Sequence, residues 1–244
     1  MRSILVYLYL FYFFTIKSLI YLPYLYILRR FNSEKSYKIA QKTIRNAFFK
    51  ALKLAGCNLE IINKPVLKPD EPYLFVSNHR SYVDIVVLYA LIDQPSSFMG
   101  KKELTKFPIL KQWMILINTI FIDRENVKES FKSILKGIDV LKSNKSIYIA
   151  PEGTRNKSEG ILPFKSGAFA MANKTKCTIV PILLTNTAEV FEKSFPKITS
   201  KNIKIEYLEP INTKSLSKEE LKELPDKIYN NMSIKYNLLL TNNN

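Results

Sequence analysis

Residues 4 to 28 form an almost unbroken apolar and aromatic run, interrupted mainly by Lys17-Ser18 and Pro23, and no acidic residue occurs before Glu34. Six of the fourteen tyrosines fall here, at positions 7, 9, 12, 21, 24 and 26, and amphipathic aromatic rings favour the membrane interface. The pattern predicts a membrane-binding helical segment over residues 1 to 30. A secretory signal peptide is one alternative, but no small-residue cleavage site follows the Ile4 to Ile16 run. A single spanning helix is another, and it would place Lys17 deep in the bilayer at about 2.5 to 3.5 kcal/mol. A shallow hairpin or interfacial insertion, broken near Lys17 and Pro23, is preferred, with Arg29 and Arg30 marking the cytoplasmic edge.

The period then changes to that of an amphipathic helix. Ser33 can cap a helix running to about Gly56, with Ala40, Ile44, Ala47, Phe48, Ala51, Leu52 and Ala55 on one face. Lys35, Lys38, Lys42, Arg45 and Lys53 form a basic stripe elsewhere on it, which suits either an anionic membrane surface or ordinary solvation. Residues 31 to 60 are read as this basic element and residues 61 to 244 as one α/β domain. Short apolar runs at Tyr73 to Val76, Ser97 to Met99, Thr119 to Ile122 and Ser146 to Ala150 predict buried strands. Val83, Val86, Val87, Ala90 and Leu91 follow the first of them at helical spacing. Asn202 to Leu208 alternates like a strand, and Ser217 to Leu240 reads as helix interrupted near Pro225.

Chemistry gathers where these strands end. The chain has one histidine, in Asn78-His79-Arg80-Ser81-Tyr82-Val83-Asp84, at a strand-to-helix junction where open α/β sheets bind ligands. Histidine takes and returns protons near neutral pH, and a carboxylate on its second ring nitrogen fixes the tautomer. Gly100-Lys101-Lys102-Glu103-Leu104, Phe121-Ile122-Asp123-Arg124 and Pro151-Glu152-Gly153-Thr154-Arg155 each close or follow an apolar stretch. Seven arginines stand against thirty lysines, and three of the seven, at 80, 124 and 155, lie in these blocks. The guanidinium fork suits bidentate phosphate binding, so a phosphorylated substrate is inferred.

These blocks, in this order and with Ile179-Val180-Pro181-Ile182 after them, resemble the glycerolipid acyltransferases typified by 1-acylglycerol-3-phosphate acyltransferase. The resemblance runs from about Tyr73 to Leu184 and includes Phe164-Lys165-Ser166-Gly167-Ala168-Phe169. It implies an α/β sheet flanked by helices. It also implies acyl transfer from a thioester of acyl carrier protein or coenzyme A to the free hydroxyl of lysophosphatidic acid, giving phosphatidic acid. His79 would be the general base and Asp84 its orienting acid. Arg124, Arg155 and Lys101 would hold the phosphate, and Glu152, Gly153 and Thr154 would complete the acceptor site, Glu152 hydrogen-bonding the glycerol part. Two positions depart from the family's pattern: Asn118 stands where Gly is frequent, and Ala150 where Phe usually precedes Pro-Glu-Gly-Thr-Arg.

The remaining composition narrows the alternatives. No Gly-x-Ser-x-Gly elbow, dinucleotide fingerprint or phosphate-binding loop occurs among the six glycines. One histidine with the distant Cys57 and Cys177 supplies no usual zinc set, so neither metal nor cofactor is expected. The formal charge of +16 would attract nucleic acid, anionic lipid or an acidic carrier protein. A nucleic-acid binder lacks a motif here and leaves the apolar amino terminus unexplained. The expectation is therefore a membrane-associated enzyme with its active site on the cytoplasmic side.

Overall fold

The computed structural model describes residues 1–91, 94 and 96–241. Helix α1 (Arg2–Tyr12) passes through a π-helical turn at Phe13–Lys17 into α2 (Ser18–Phe31), so the two form one rod. The expected break near Lys17 and Pro23 is absent. Across the π turn the carbonyl of Phe13 accepts the backbone N–H of Ser18 and also its hydroxyl, at 2.8 Å, and that hydroxyl oxygen accepts the indole N–H of Trp113 at 2.8 Å. A satisfied carbonyl leaves no reason for the helix to end there. Pro23 sits inside α2 without stopping it.

The chain turns instead at Asn32, whose side chain caps α3 (Ser33–Leu54) by accepting from the backbone N–H of Lys35 at 2.9 Å. The cap is thus one residue earlier than expected, and Asn serves as well as Ser. Helix α3 runs back along the rod, so that Gly56 lies beside the guanidinium of Arg2. One side of the rod packs against the protein, with Val6, Phe13 and Leu25 buried, while Leu8, Phe11, Leu19 and Ile20 face outward.

The remaining elements alternate strand and helix: β1 (Asn58–Ile62), β2 (Tyr73–Ser77), α4 (Tyr82–Leu91), β3 (Ser96–Lys101), α5 (Pro108–Leu116), β4 (Ile120–Ile122), α6 (Val127–Lys142), β5 (Ser146–Ile149), α7 (Ser166–Thr175), β6 (Thr178–Leu184), α8 (Thr187–Val190), β7 (Asn202–Tyr207) and α9 (Lys218–Thr241). Among the described residues the strands form one sheet of order β1-β7-β6-β2-β5-β3-β4. The stretch from β6 to β4 is parallel, and β7 pairs antiparallel with β6, so β7 and its parallel partner β1 run the opposite way.

Both faces of the parallel stretch are covered, as crossover helices require. Tyr73 and Phe75 of β2 join one core with the α1–α2 rod, α3, α4 and α5. Leu74 and Val76 point the other way, into a second core with α6, α7 and α9. Helix α9 is continuous through Pro225 rather than interrupted there. Proline removes one backbone donor, but Leu221, Leu224, Ile228, Met232 and Tyr236 bury one stripe of the helix against the sheet, and packing outweighs that loss.

Candidate active site

The loop from β2 to α4 carries His79, and its shape is set by side chains that imitate backbone. Asn78 bridges to β6, its amide donating to the carbonyl of Leu184 and its oxygen accepting the Leu184 N–H, both at 2.9 Å. Asp84, fully buried in the first turn of α4, turns Oδ2 toward three donors: the backbone N–H of Arg80 and of Ser81, each at 2.7 Å, and His79 Nδ1 at 2.9 Å. Because an ionised carboxylate only accepts, Nδ1 carries the proton in the neutral ring and Nε2 keeps its lone pair. The geometry holds the imidazole in one tautomer.

Glu152, expected at the acceptor's glycerol, occupies a different position. It is buried, and both its oxygens receive backbone donors: Oε1 the N–H of His79 at 2.6 Å, Oε2 the N–H of Leu162 at 3.0 Å. Burial pushes its carboxyl up to about 7, against the pull of those two hydrogen bonds. The N–H of Asn156 donates to the His79 carbonyl at 2.7 Å. The loop after β5 therefore clamps the backbone of His79 from both sides. Gly153, at φ +71, gives the turn a left-handed residue where a Cβ would collide with the Lys165 side chain.

His79 opens onto a cavity of about 510 Å³. Its deeper lining is apolar, including Phe13, Phe14, Phe48, Phe98, Trp113 and Ile117, and its rim includes Lys101, Arg124, Thr154, Arg155 and Lys157. Arg124 is largely withdrawn from water, which lowers its pKa against the opposing pull of the Glu103 carboxylate. The Arg155 guanidinium stacks on the Tyr82 ring at 3.8 Å and donates to Glu192 at 3.2 Å. Lys101 is paired with Glu103 at 3.2 Å, and Lys102 with Asp123 at 3.1 Å. Arg80 turns away from the cavity, donating to the Tyr236 hydroxyl at 2.6 Å and fastening α9.

Thus His79, Lys101, Arg124, Gly153, Thr154 and Arg155 share one cavity, with Asp84 and Glu152 behind it. Sequence reasoning passed over Tyr82 and Glu192, since contacts between residues so far apart leave no local signal. Asn118 adopts φ 56, a left-handed conformation that Asn tolerates better than most residues, and so can stand where the resembling family has Gly.

Comparison with known proteins agrees with this architecture. The acyltransferase family profile matches residues 58–185. The 1-acyl-sn-glycerol-3-phosphate acyltransferase of Saccharomyces cerevisiae is 30% identical over 198 residues, covering 80% of this chain and 65% of the yeast protein. That of Cocos nucifera is 34% identical over 159 residues, covering 64% of this chain and 51% of its own. The chain thus spans between half and two thirds of the length of these relatives. The crystal structure of the 1-acyl-sn-glycerophosphate (LPA) acyltransferase from Thermotoga maritima superposes with a TM-score of 0.79 at 23% identity, covering 98% of both chains, which establishes a shared fold. With residues 58–185, more than half of its length, matched by that profile, the chain belongs to the acyltransferase family.

Proposed function

We propose that the protein transfers an acyl chain from a thioester of acyl carrier protein or coenzyme A to the free hydroxyl of lysophosphatidic acid, forming phosphatidic acid. One observation carries this reading: the His79–Asp84 pair stands between an apolar cavity and a rim bearing Arg124 and Arg155. The transferred chain lies in the cavity, and the acceptor's phosphate lies on the arginines with Lys101 beside them. His79 Nε2 takes the proton of the acceptor hydroxyl as its oxygen attacks the thioester carbon. Asp84 stabilises the imidazolium that forms. The new C–O bond replaces the C–S bond, and the departing thiolate receives the proton back from His79. No acyl-enzyme is needed. Thr154 at the rim and Gly153 at the turn shape the acceptor's seat, while Glu152 supports the reaction through the His79 backbone.

The same reading places residues 1 to 30 on the cytoplasmic leaflet as a membrane anchor, residues 31 to 60 as the basic helix behind it and residues 61 to 244 as the acyltransferase domain. The rod spans 30 residues, long and apolar enough to cross a membrane. Its burial against α3 along one side supports a helix lying in the interface with its outer face in lipid. Arg29, Arg30 and the lysines of α3 suit anionic headgroups.

The test is turnover. His79→Ala lowers kcat on lysophosphatidic acid by ~10² to 10⁴-fold in a folded protein, and Asp84→Asn is also severely impaired. The double variant behaves as His79→Ala alone, because a residue that only orients a base has nothing left to orient. Full activity of His79→Ala, in a preparation free of host acyltransferase, overturns the mechanism.

A further inference from the structure

The connection from α8 to β7 lies beyond the segment that the family profile matches, which ends at residue 185. Glu192 in this connection reaches into the active site. Its Oε2 accepts the Ser81 hydroxyl at 2.5 Å, and its Oε1 accepts both the backbone N–H of Tyr82 at 2.8 Å and Nη1 of Arg155 at 3.2 Å. The Ser81 oxygen in turn accepts the N–H of Val83 at 2.8 Å. One carboxylate therefore gathers the open first turn of α4, where backbone N–H groups carry partial positive charge, and the guanidinium at the cavity rim.

We infer that Glu192 is a positioning residue that sets Arg155 at a fixed place relative to the base, and so registers the acceptor's phosphate against His79. This rests on the reading of Arg155 as a phosphate ligand. Helix α4 carries Asp84, which orients His79, so whatever fixes Arg155 to α4 fixes the phosphate seat to the base. The hold is partial in a useful way. Tyr82 covers one face of the guanidinium and Glu192 takes one of its nitrogens, leaving most of its five N–H donors for phosphate oxygens. Glu192→Gln would keep one acceptor oxygen for the Tyr82 N–H, with its amide N–H turned to the Ser81 oxygen, but would lose the charge that draws Arg155 onto the helix end.

The connection is stiff enough for the task because it is tied down directly after Glu192. Lys193 pairs with Glu189 at 2.9 Å and with Glu159 at 3.3 Å. Farther on, the Tyr7 hydroxyl donates to the carbonyl of Pro196 at 2.6 Å, and the N–H of Ile198 donates to the Ser3 hydroxyl at 2.9 Å. The phosphate seat is thus braced against the amino-terminal helix as well as against α4. Misplacement of a reacting group by about 1 Å can cost 10²-fold in rate, so a brace of this kind acts on catalysis without touching substrate.

The experiment is a double-mutant cycle on the full chain in detergent, with lysophosphatidic acid and an uncharged monoacylglycerol as acceptors. Glu192→Gln preserves size and an acceptor for α4, and its thermal midpoint should match the parent's. It should lower kcat/KM for lysophosphatidic acid about tenfold, mostly through KM, as expected for loss of a charge-assisted contact. The uncharged acceptor should be affected less than about twofold. In an Arg155→Ala background the same substitution should add nothing, because residues acting through one another are not additive. Unchanged use of lysophosphatidic acid by Glu192→Gln overturns the inference, as does an undiminished tenfold loss in the Arg155→Ala background. If Arg155→Ala itself leaves lysophosphatidic acid use intact, the phosphate reading of Arg155 falls and takes the Glu192 assignment with it. If Arg155→Ala is impaired and Glu192→Gln is not, only Glu192 is misassigned.

Discussion

The two faces of the sheet are covered by helices in equal measure, yet they are finished differently. On the face of α6, α7 and α9, side chains such as Phe169, Met171, Ile179 and Met232 are fully buried, and a Cβ on Gly137 of α6 would lie 2.3 Å from the Met171 sulfur. On the face of the α1–α2 rod, α3 and α5, equally large aromatics pack edge-on, stacked or tilted, Phe13 on Phe14 and Trp113 and Tyr89 on Phe98, as a wall around the 510 Å³ cavity. The rod that closes this cavity is also the element with the most outward-facing apolar residues. Interiors are normally filled to crystal-like density, so one face is built for stability and the other holds space open, at some cost, where the proposed reading seats the acyl chain. On the proposed reading, lipid contact and chain binding fall to the same helices.

The contrast can be broken first on the open face. Replacing Leu8, Phe11, Leu19 and Ile20 with serine removes four outward side chains, each worth roughly 1.5 to 3 kcal/mol when buried. The core residues Phe13 and Leu25 are untouched. The variant should fold, yet leave the membrane fraction on flotation with anionic vesicles. Continued co-flotation would assign membrane residence to another surface. Deleting residues 1 to 30 would be a poorer test, since it would strip the core of Phe13 and Leu25 and the cavity of part of its wall.

On the closed face, Phe169→Ala should cost ~3 to 5 kcal/mol of stability, the usual range for a fully buried phenylalanine. Measured by denaturant unfolding in detergent, the loss should come with no change in preference among acceptors. A shift in acceptor preference would show that the second face also shapes the site.

The third expectation concerns Glu152, which sits where the faces meet. Its folded pKa of about 7 lies above the ordinary value of 4.5. Between those values the folded chain binds more protons than the unfolded one, so this group's contribution to stability falls as pH rises from about 4.5 to 7 and is level above. The change is at most about 3.5 kcal/mol, at 1.4 kcal/mol per unit. Unfolding midpoints across that range should decline more steeply in the parent than in Glu152→Gln. Parallel slopes would mean that Glu152 does not titrate there.

How far the sequence could be read follows the same division. Buried strands such as Tyr73 to Ser77 announce themselves because both faces are apolar, whereas β1, at the sheet edge and half exposed, mixes Asn, Leu, Glu and Ile and escapes notice. The break anticipated near Lys17 rested on local propensity, and the stretch held as helix because the π turn keeps its backbone hydrogen bond and Ser18 ties it to Trp113. Pro225 was likewise outweighed by packing. In the site, His79, Asp84, Arg124 and Arg155 were visible as residue types at strand ends. The position of Glu152 was not, since whether a carboxylate faces substrate or backbone depends on a loop that only the fold brings round. Glu192 contacts α4 across 110 residues and offers no pattern along the chain at all.

The central claim is that an open apolar face, a base and a phosphate seat form one acyl-transfer site. The most direct measurement offers the purified enzyme lysophosphatidic acid, glycerol 3-phosphate and uncharged monoacylglycerol, each with acyl carrier protein and coenzyme A thioesters, and identifies the products. Phosphatidic acid should form fastest by a wide margin, and Arg155→Lys should weaken its formation much more than acylation of monoacylglycerol. Equal rates on charged and uncharged acceptors, or equal losses in Arg155→Lys, would contradict the account.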